Sequence, residues 1–211
     1  MMKELREELK NLSKERIFKE FQNAMKSKNP QNFFEILLKS KILDVHFKEI
    51  NELLNEKYNF TMKSLTKSTY ITNDEKIRFA VLVQNLNIDS IEDLAMRIAL
   101  PKKWIKCGKE SVLYYKKCKY FNKLNLSEKV EFIENINRSI LGIKGLKIIC
   151  ISNNDNNLEY NNIINCEKIG IEMLRKINGK YIMDKYNIKP NKLFNEILKK
   201  ERMNWLKNNY T

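Results

Sequence analysis

Between Lys102 and Lys123 eight lysines stand against one acid, Glu110, and five aromatic side chains are threaded among them: Trp104, Tyr114, Tyr115, Tyr120 and Phe121. Lysine carries a compact charge on a flexible stem and suits phosphate oxygens, while an exposed ring can stack on an unpaired base or ribose. The chemistry open to such a segment is capture of a polyanion. Rings at helical spacing usually face a core, so phosphate contact by the lysines is the stronger expectation. A second basic segment runs from Arg175 to the end, with ten basic and three acidic side chains. The candidate contacts are Lys102, Lys103, Lys106, Lys109, Lys116, Lys117 and Lys119 in the first segment, and Lys189, Lys192, Lys199, Lys200 and Arg202 in the second.

Little else in the sequence could do chemistry. A triad needs an activated base beside its nucleophile, and the one histidine, His46, sits in Asp44-Val-His-Phe-Lys with no supporting context. Six aspartates form no D-x-D pair of the kind that holds Mg²⁺ for nucleotidyl transfer. The cysteines at 107, 118, 150 and 166 include no C-x-x-C, so neither a metal site nor a disulfide framework is expected. On one helix Cys107 and Cys118 would share a face, as buried small apolar side chains do. Glu92-Asp93 with Arg97 reads as a solvated helix face, and Glu7-Glu8 and Asp74-Glu75 as solvated helix ends. The residues alone describe a non-catalytic protein without metal or cofactor.

The charge is distributed to match. The 211 residues carry a net charge of +14. Lysine outnumbers arginine 33 to seven and asparagine occurs 28 times, a bias expected of an AT-rich genome. Such bias is uniform, whereas here the surplus is not. Residues 1–60 hold 12 basic and ten acidic side chains, residues 61–101 five of each, and residues 124–174 sum to minus two. The surplus lies in the two islands, which favours nucleic acid as partner. No stretch approaches the roughly 18 apolar residues of a membrane span, and the charged start lacks the apolar core of a signal peptide. A cytoplasmic protein without a membrane partner is expected.

Helices must position these groups. Five glycines and three prolines are too few for an all-β chain or for a glycine-rich phosphate loop. Pro30, Pro101 and Pro190 each precede a helical pattern. Phe33, Phe34, Leu37 and Leu38 form one apolar stripe, Ile91, Leu94, Ala95 and Ile98 another, and Leu193, Phe194, Ile197 and Leu198 a third. Ser127 is a plausible cap for the run Val130, Ile133, Ile136 and Ile140. Residues 155–165 are Asn-rich and read as an exposed loop. Leu146-Lys-Ile-Ile-Cys-Ile151 is either a short strand or a fully buried helix. The expected fold is an all-α, elongated multi-helix array.

Three phrases carry a resemblance: Leu12-Ser-Lys-Glu-Arg-Ile-Phe-Lys-Glu20, Asn29-Pro30-Gln-Asn-Phe-Phe-Glu-Ile-Leu-Leu38 and Ile42-Leu-Asp-Val-His-Phe-Lys-Glu-Ile50. They resemble the neck and body of bacterial CCA-adding tRNA nucleotidyltransferases, of the poly(A) polymerase family, with Lys48 where that family has proline. Lys76-Ile-Arg-Phe-Ala-Val-Leu-Val-Gln-Asn-Leu86 is similar to the strip in which two-function members carry the His-Asp pair of a phosphohydrolase, and Gln84-Asn85 stands there instead. Leu124-Asn-Leu-Ser-Glu-Lys-Val-Glu-Phe-Ile133 and Tyr186-Asn-Ile-Lys-Pro-Asn-Lys-Leu193, on to Trp205, resemble the tail.

The resemblance implies three parts: neck and body helices over 1–60, a degenerate His-Asp-like region over 61–123 and tail helices over 124–211. The family's glycine-rich turn, D-x-D ligands and nucleotide-selecting Glu-Asp-x-x-Arg have no counterpart, so the sequence starts where a catalytic head would end. The implied function is that of the tRNA-binding half of a split or degenerate enzyme, gripping the acceptor arm and elbow while a separate head protein does the chemistry. Two other readings compete: a helical protein–protein adaptor, and a phosphohydrolase, against which Gln84-Asn85 speaks because neutral amides are weak metal ligands.

Overall fold

A computed structural model of the chain describes residues 11–154 and 157–210. The Glu7-Glu8 pair lies outside them. Among the described residues all regular structure is helical. The order is α1 (Lys14–Lys26), α2 (Gln31–Lys39), α3 (Leu43–His46), α4 (Lys48–Ile71), α5 (Glu75–Val83), α6 (Ile88–Ile98) and α7 (Lys102–Lys119), then a 3₁₀ turn at Phe121–Lys123. After the turn come α8 (Leu126–Asn137), α9 (Gly142–Ser152), α10 (Asn157–Lys176), α11 (Gly179–Tyr186) and α12 (Lys192–Tyr210).

Local chemistry sets most of the starts. Ser13 accepts a hydrogen bond from the Arg16 amide ahead of α1, Asn87 from Ser90 ahead of α6, and Asn178 from Tyr181 ahead of α11. Pro30 and Pro101 immediately precede α2 and α7, and after Pro190 the Asn191 side chain accepts from the Phe194 amide. The cap of α8 is Asn125 rather than Ser127. Its side chain accepts from the Glu128 amide, and the Glu128 carboxylate accepts from the Asn125 amide, both at 2.9 Å. Only a cap at 125 gives that reciprocal pair, and Ser127 falls inside the helix.

The structure decides one stretch and corrects another. Leu146–Ile151, open to strand or buried helix in the sequence, is helix; it lies in α9, with Leu146, Ile148, Ile149 and Cys150 all buried. Burial nearly all round removes the advantage of a pleated surface and lets tertiary packing override the β-branched chemistry. From Asn157 the Asn-rich stretch is helical, because Ile163 and Cys166 face the core and the buried Asn162 amide is satisfied, donating 2.7 Å to the Lys119 carbonyl and accepting 2.6 Å from Asn122.

Two apolar cores form, joined by α5 and α7. In the first, Phe21 meets the rings of Phe33, Phe34, Phe47, Phe79 and Trp104 with centroids between 5.5 and 6.4 Å apart. Each fully buried phenylalanine contributes about 2–3 kcal/mol. The second gathers Val130, Ile133, Ile149, Ile163, Met173 and Leu206. Every residue of α5 from Ile77 to Val83 is buried. Its Phe79, Leu82 and Val83 enter the first core, and its Ile77, Ala80 and Val81 the second. Opposite lies α7, and Gly108 permits the close approach: a Cβ there would stand 2.9 Å from Phe79 Cε1 and 3.3 Å from Val83 Cγ2.

Candidate nucleic-acid interface

The first lysine island is the outer side of α7. Its other side is fixed by Trp104, Cys107, Gly108, Ser111, Tyr115 and Cys118, all buried. At about 100° per residue, Lys102, Lys106, Lys109, Lys116 and Lys117 fall within about 60° of one direction, with Leu113 and Tyr120 among them. Lys103 and Lys119 lie on the flanks. Lys102, Lys103, Lys106, Lys116 and Lys117 are exposed, whereas Lys109 and Lys119 are half-buried. A shallow cleft of about 340 Å³ follows this face and is lined in part by Lys102, Lys106, Lys109 and Leu113.

Three of these ammonium groups have carboxylate neighbours. Lys109 pairs with Glu92 on α6, Lys119 with Glu159 on α10 at 3.0 Å, and Lys106 stands 3.8 Å from Glu110. Glu110, the one acid of the island, is buried and accepts a 2.9 Å hydrogen bond from the Leu141 amide at the head of α9. A carboxylate there answers the positive end of α9 and ties α7 to it. The lysine face is therefore mounted on a rigid element.

The aromatics divide as helical spacing suggests. Trp104, 3 % exposed, packs on Phe18, Phe21 and Phe79; Tyr115 and Phe121 are buried, and Tyr114 meets Phe132 edge-on at 5.9 Å. Tyr120 is 50 % exposed, with Lys123 Nζ 5.4 Å from its ring centroid, and the half-buried Tyr114 lines the cleft beside the lysines. Base stacking by Trp104, Tyr115 or Phe121 would need the core to open.

The second island is dispersed over the end of α10, α11 and α12. Lys189 and Lys200 are exposed and Lys199 half-buried, while the Lys192 side chain lies outside the described ones. Arg202 is only 7 % exposed; it donates to the Ile177 carbonyl at 3.0 Å and to Glu134 at 2.6 Å. Such a guanidinium braces α12 against its neighbours and is turned away from solvent. Lys185 donates 2.7 Å to Glu201, whose carboxylate also accepts from the Tyr181 and Tyr186 hydroxyls. This contact raises the lysine's pKa and depresses the carboxylate's.

The remaining reactive side chains are structural. Burial, with Glu110 nearby, pushes the Cys107 thiol up to about 12, and burial lifts Cys150 to about 11. All four cysteines are buried and unbridged, as packing thiols are. Among the described residues no group of three or more His, Cys, Asp or Glu could hold a metal ion. Arg97 is half-buried rather than solvated, 2.9 Å from the buried Glu49, while Glu92 and Asp93 do face solvent. Gln84, at the position of the expected His-Asp strip, is buried and exchanges amide hydrogen bonds with Asn153. Sequence reasoning passed over a further basic and aromatic stripe on α4, because residues 61–101 balance to zero charge.

Residues 1–54 match the family described as "Probable RNA and SrmB-binding site of polymerase A". A CCA-adding enzyme of Blochmanniella pennsylvanica is 35 % identical over 98 residues, covering 41 % of this chain and 24 % of the relative. The chain is similar to a part of CCA-adding enzymes. The multifunctional CCA protein of Shewanella denitrificans is 35 % identical over 106 residues, 45 % of this chain and 25 % of the relative. The CCA-adding enzyme of Blochmanniella floridana is 30 % identical over 139 residues, 51 % and 34 %. The matched chain thus spans a quarter to a third of these CCA-adding relatives. No solved structure matches it at the same stringency. Among the described residues no helix is long and apolar enough to cross a membrane.

Proposed function

We propose that this chain binds RNA, and tRNA in particular, through phosphate contacts, and that residues 1–211 position the acceptor arm and elbow for a nucleotide-adding head supplied in trans. The observation that carries the reading is the outward lysine face of α7, held rigid by a buried opposite face and by Glu110. Phosphate contacts read little sequence, which suits a protein serving many tRNAs. The similarity to CCA-adding enzymes supplies the substrate class, and the match over residues 1–54 supports an RNA-binding role for the first helices. In this reading residues 1–60 are neck and body, 61–123 a degenerate His-Asp-like region and 124–211 the tail. The Gln84–Asn153 amide pair supports that degeneracy, since both amides are already engaged.

A second reading, a protein-binding adaptor, draws on the same family description, which names a protein, SrmB, beside RNA.

Titration with labelled tRNA separates the two. Tight binding that weakens steeply between about 50 and 200 mM salt supports the RNA reading, and indifference to tRNA at low salt overturns it. Adding CTP, ATP and Mg²⁺ to the chain and tRNA alone should leave the 3′ end unextended; extension would remove the head in trans.

A further inference from the structure

The outer face of α4 carries a stripe of four residues, Phe60, Lys63, Lys67 and Tyr70, at positions i, i+3, i+7 and i+10. At about 100° per residue they fall within about 80° of one another. The opposite side is buried through Thr61, Met62, Ser64, Leu65 and Ser68, so the stripe faces away from the core. Tyr70 is 84 % exposed and Phe60 42 %, both large for aromatic rings on a packed helix. Lys63 is exposed, and Lys67 is half-buried and donates to the side-chain oxygen of Asn154, leaving ammonium protons for an anion. No acid occurs from Lys57 to Asn73, although three lysines do.

We propose that this stripe binds an unpaired RNA segment, its rings stacking on bases and its lysines meeting the intervening phosphates; the assignment rests on the RNA-binding reading above. The stripe is about 15 Å long at 1.5 Å per residue, which at about 3.4 Å per stacked nucleotide spans about four nucleotides. A ring standing out from a helix offers its face to a splayed base, and paired bases in a duplex cannot reach it. The lysines between the rings make the face complementary to a nucleic-acid strand and poorly suited to an uncharged apolar partner. Tyr58 stands apart from the stripe, turned toward Glu35 on α2 and hydrogen-bonded to it.

The test titrates the full chain with a fluorescent short oligouridylate and with a short RNA duplex, comparing wild type with Phe60→Ala/Tyr70→Ala. The double variant should bind the single strand about tenfold more weakly and the duplex unchanged within about twofold. Tyr70→Ala alone removes a ring too exposed to hold the core and should give part of the effect. Phe60→Tyr/Tyr70→Phe should restore wild-type binding. Lys63→Gln/Lys67→Gln should lower the salt slope for the single strand by about 1.4. Equal losses for strand and duplex, or no loss for the strand, overturn the stripe while leaving the RNA reading intact. If wild type binds neither RNA, both fall.

Discussion

Gln84 and Asn153, 69 residues apart in the chain, exchange two amide hydrogen bonds of 2.8 Å, one in each direction. Gln84 also donates 3.0 Å to the Val81 carbonyl, and Asn153 donates 3.1 Å to the Tyr115 hydroxyl. The network joins the end of α5 to the end of α9 through neutral groups only. Removing either amide strands its partner, so Gln84→Ala should cost about 1–2 kcal/mol in urea unfolding. A double-mutant cycle with Asn153→Ala should return a coupling of about 1 kcal/mol. Additive losses would mean that the two amides do not depend on each other.

Arg78 is buried and held by backbone carbonyls. Its guanidinium donates to the carbonyls of Met25 and Ser27 at 2.7 Å and of Thr72 at 2.9 Å, closing the ends of α1 and α4 together. A cation there also answers the negative ends of both helices. Arg78→Ala should lose about 3 kcal/mol, and Arg78→Lys should recover only a fraction, since an ammonium cannot fork. Full rescue by lysine would show that charge alone matters.

Gly108→Ala places a methyl 2.9 Å from Phe79 Cε1. Phe79 is fully buried and cannot swing away. Overpacking of about 1–3 kcal/mol opposes the roughly 1 kcal/mol that alanine gains in a helix. A net loss of about 1 kcal/mol is expected in thermal or urea unfolding, and a gain would show that α5 and α7 are not in such close contact.

The junction of α11 and α12 should respond to acid. Hydrogen bonds from Lys185 and from Tyr186 and Tyr181 depress the Glu201 carboxyl below its ordinary value of 4.5. A depressed carboxyl stabilises fully above its unfolded value, and that contribution fades as pH falls through the folded one. Lys185 is shifted upward from 10.5, so its contribution is complete below that value and is lost only as pH rises beyond it. Glu201→Gln should cost about 1 kcal/mol at neutral pH, with the difference from wild type vanishing as pH drops below about 4.5. A difference that persisted in acid would assign the loss to packing instead.

The all-helical architecture was legible because the apolar stripes and the prolines agree with one another: Pro30 and Pro101 mark starts, and Ile91, Leu94, Ala95 and Ile98 are all buried. Residues 146–151 and 157–165 were less so, because burial and tertiary hydrogen bonds, invisible locally, decide them. Charge counting located the α7 face, since lysines that must stay solvated leave only one side of the helix to pack. It could not separate Arg202 from its neighbours, because the Glu134 carboxylate that engages it comes from 68 residues away. The α4 stripe escaped for the opposite reason: its lysines are offset by acids that lie elsewhere in the chain.

The most direct measurement is the salt dependence of tRNA binding by wild type and by a variant with Lys102, Lys106, Lys116 and Lys117 all changed to Gln. These side chains are exposed, so the fold should be unaltered by circular dichroism and unfolding midpoint. If the α7 face holds phosphates, the slope of log affinity against log salt should fall by about three, from roughly 0.7–0.9 per contact. An unchanged slope in a folded variant would contradict the account.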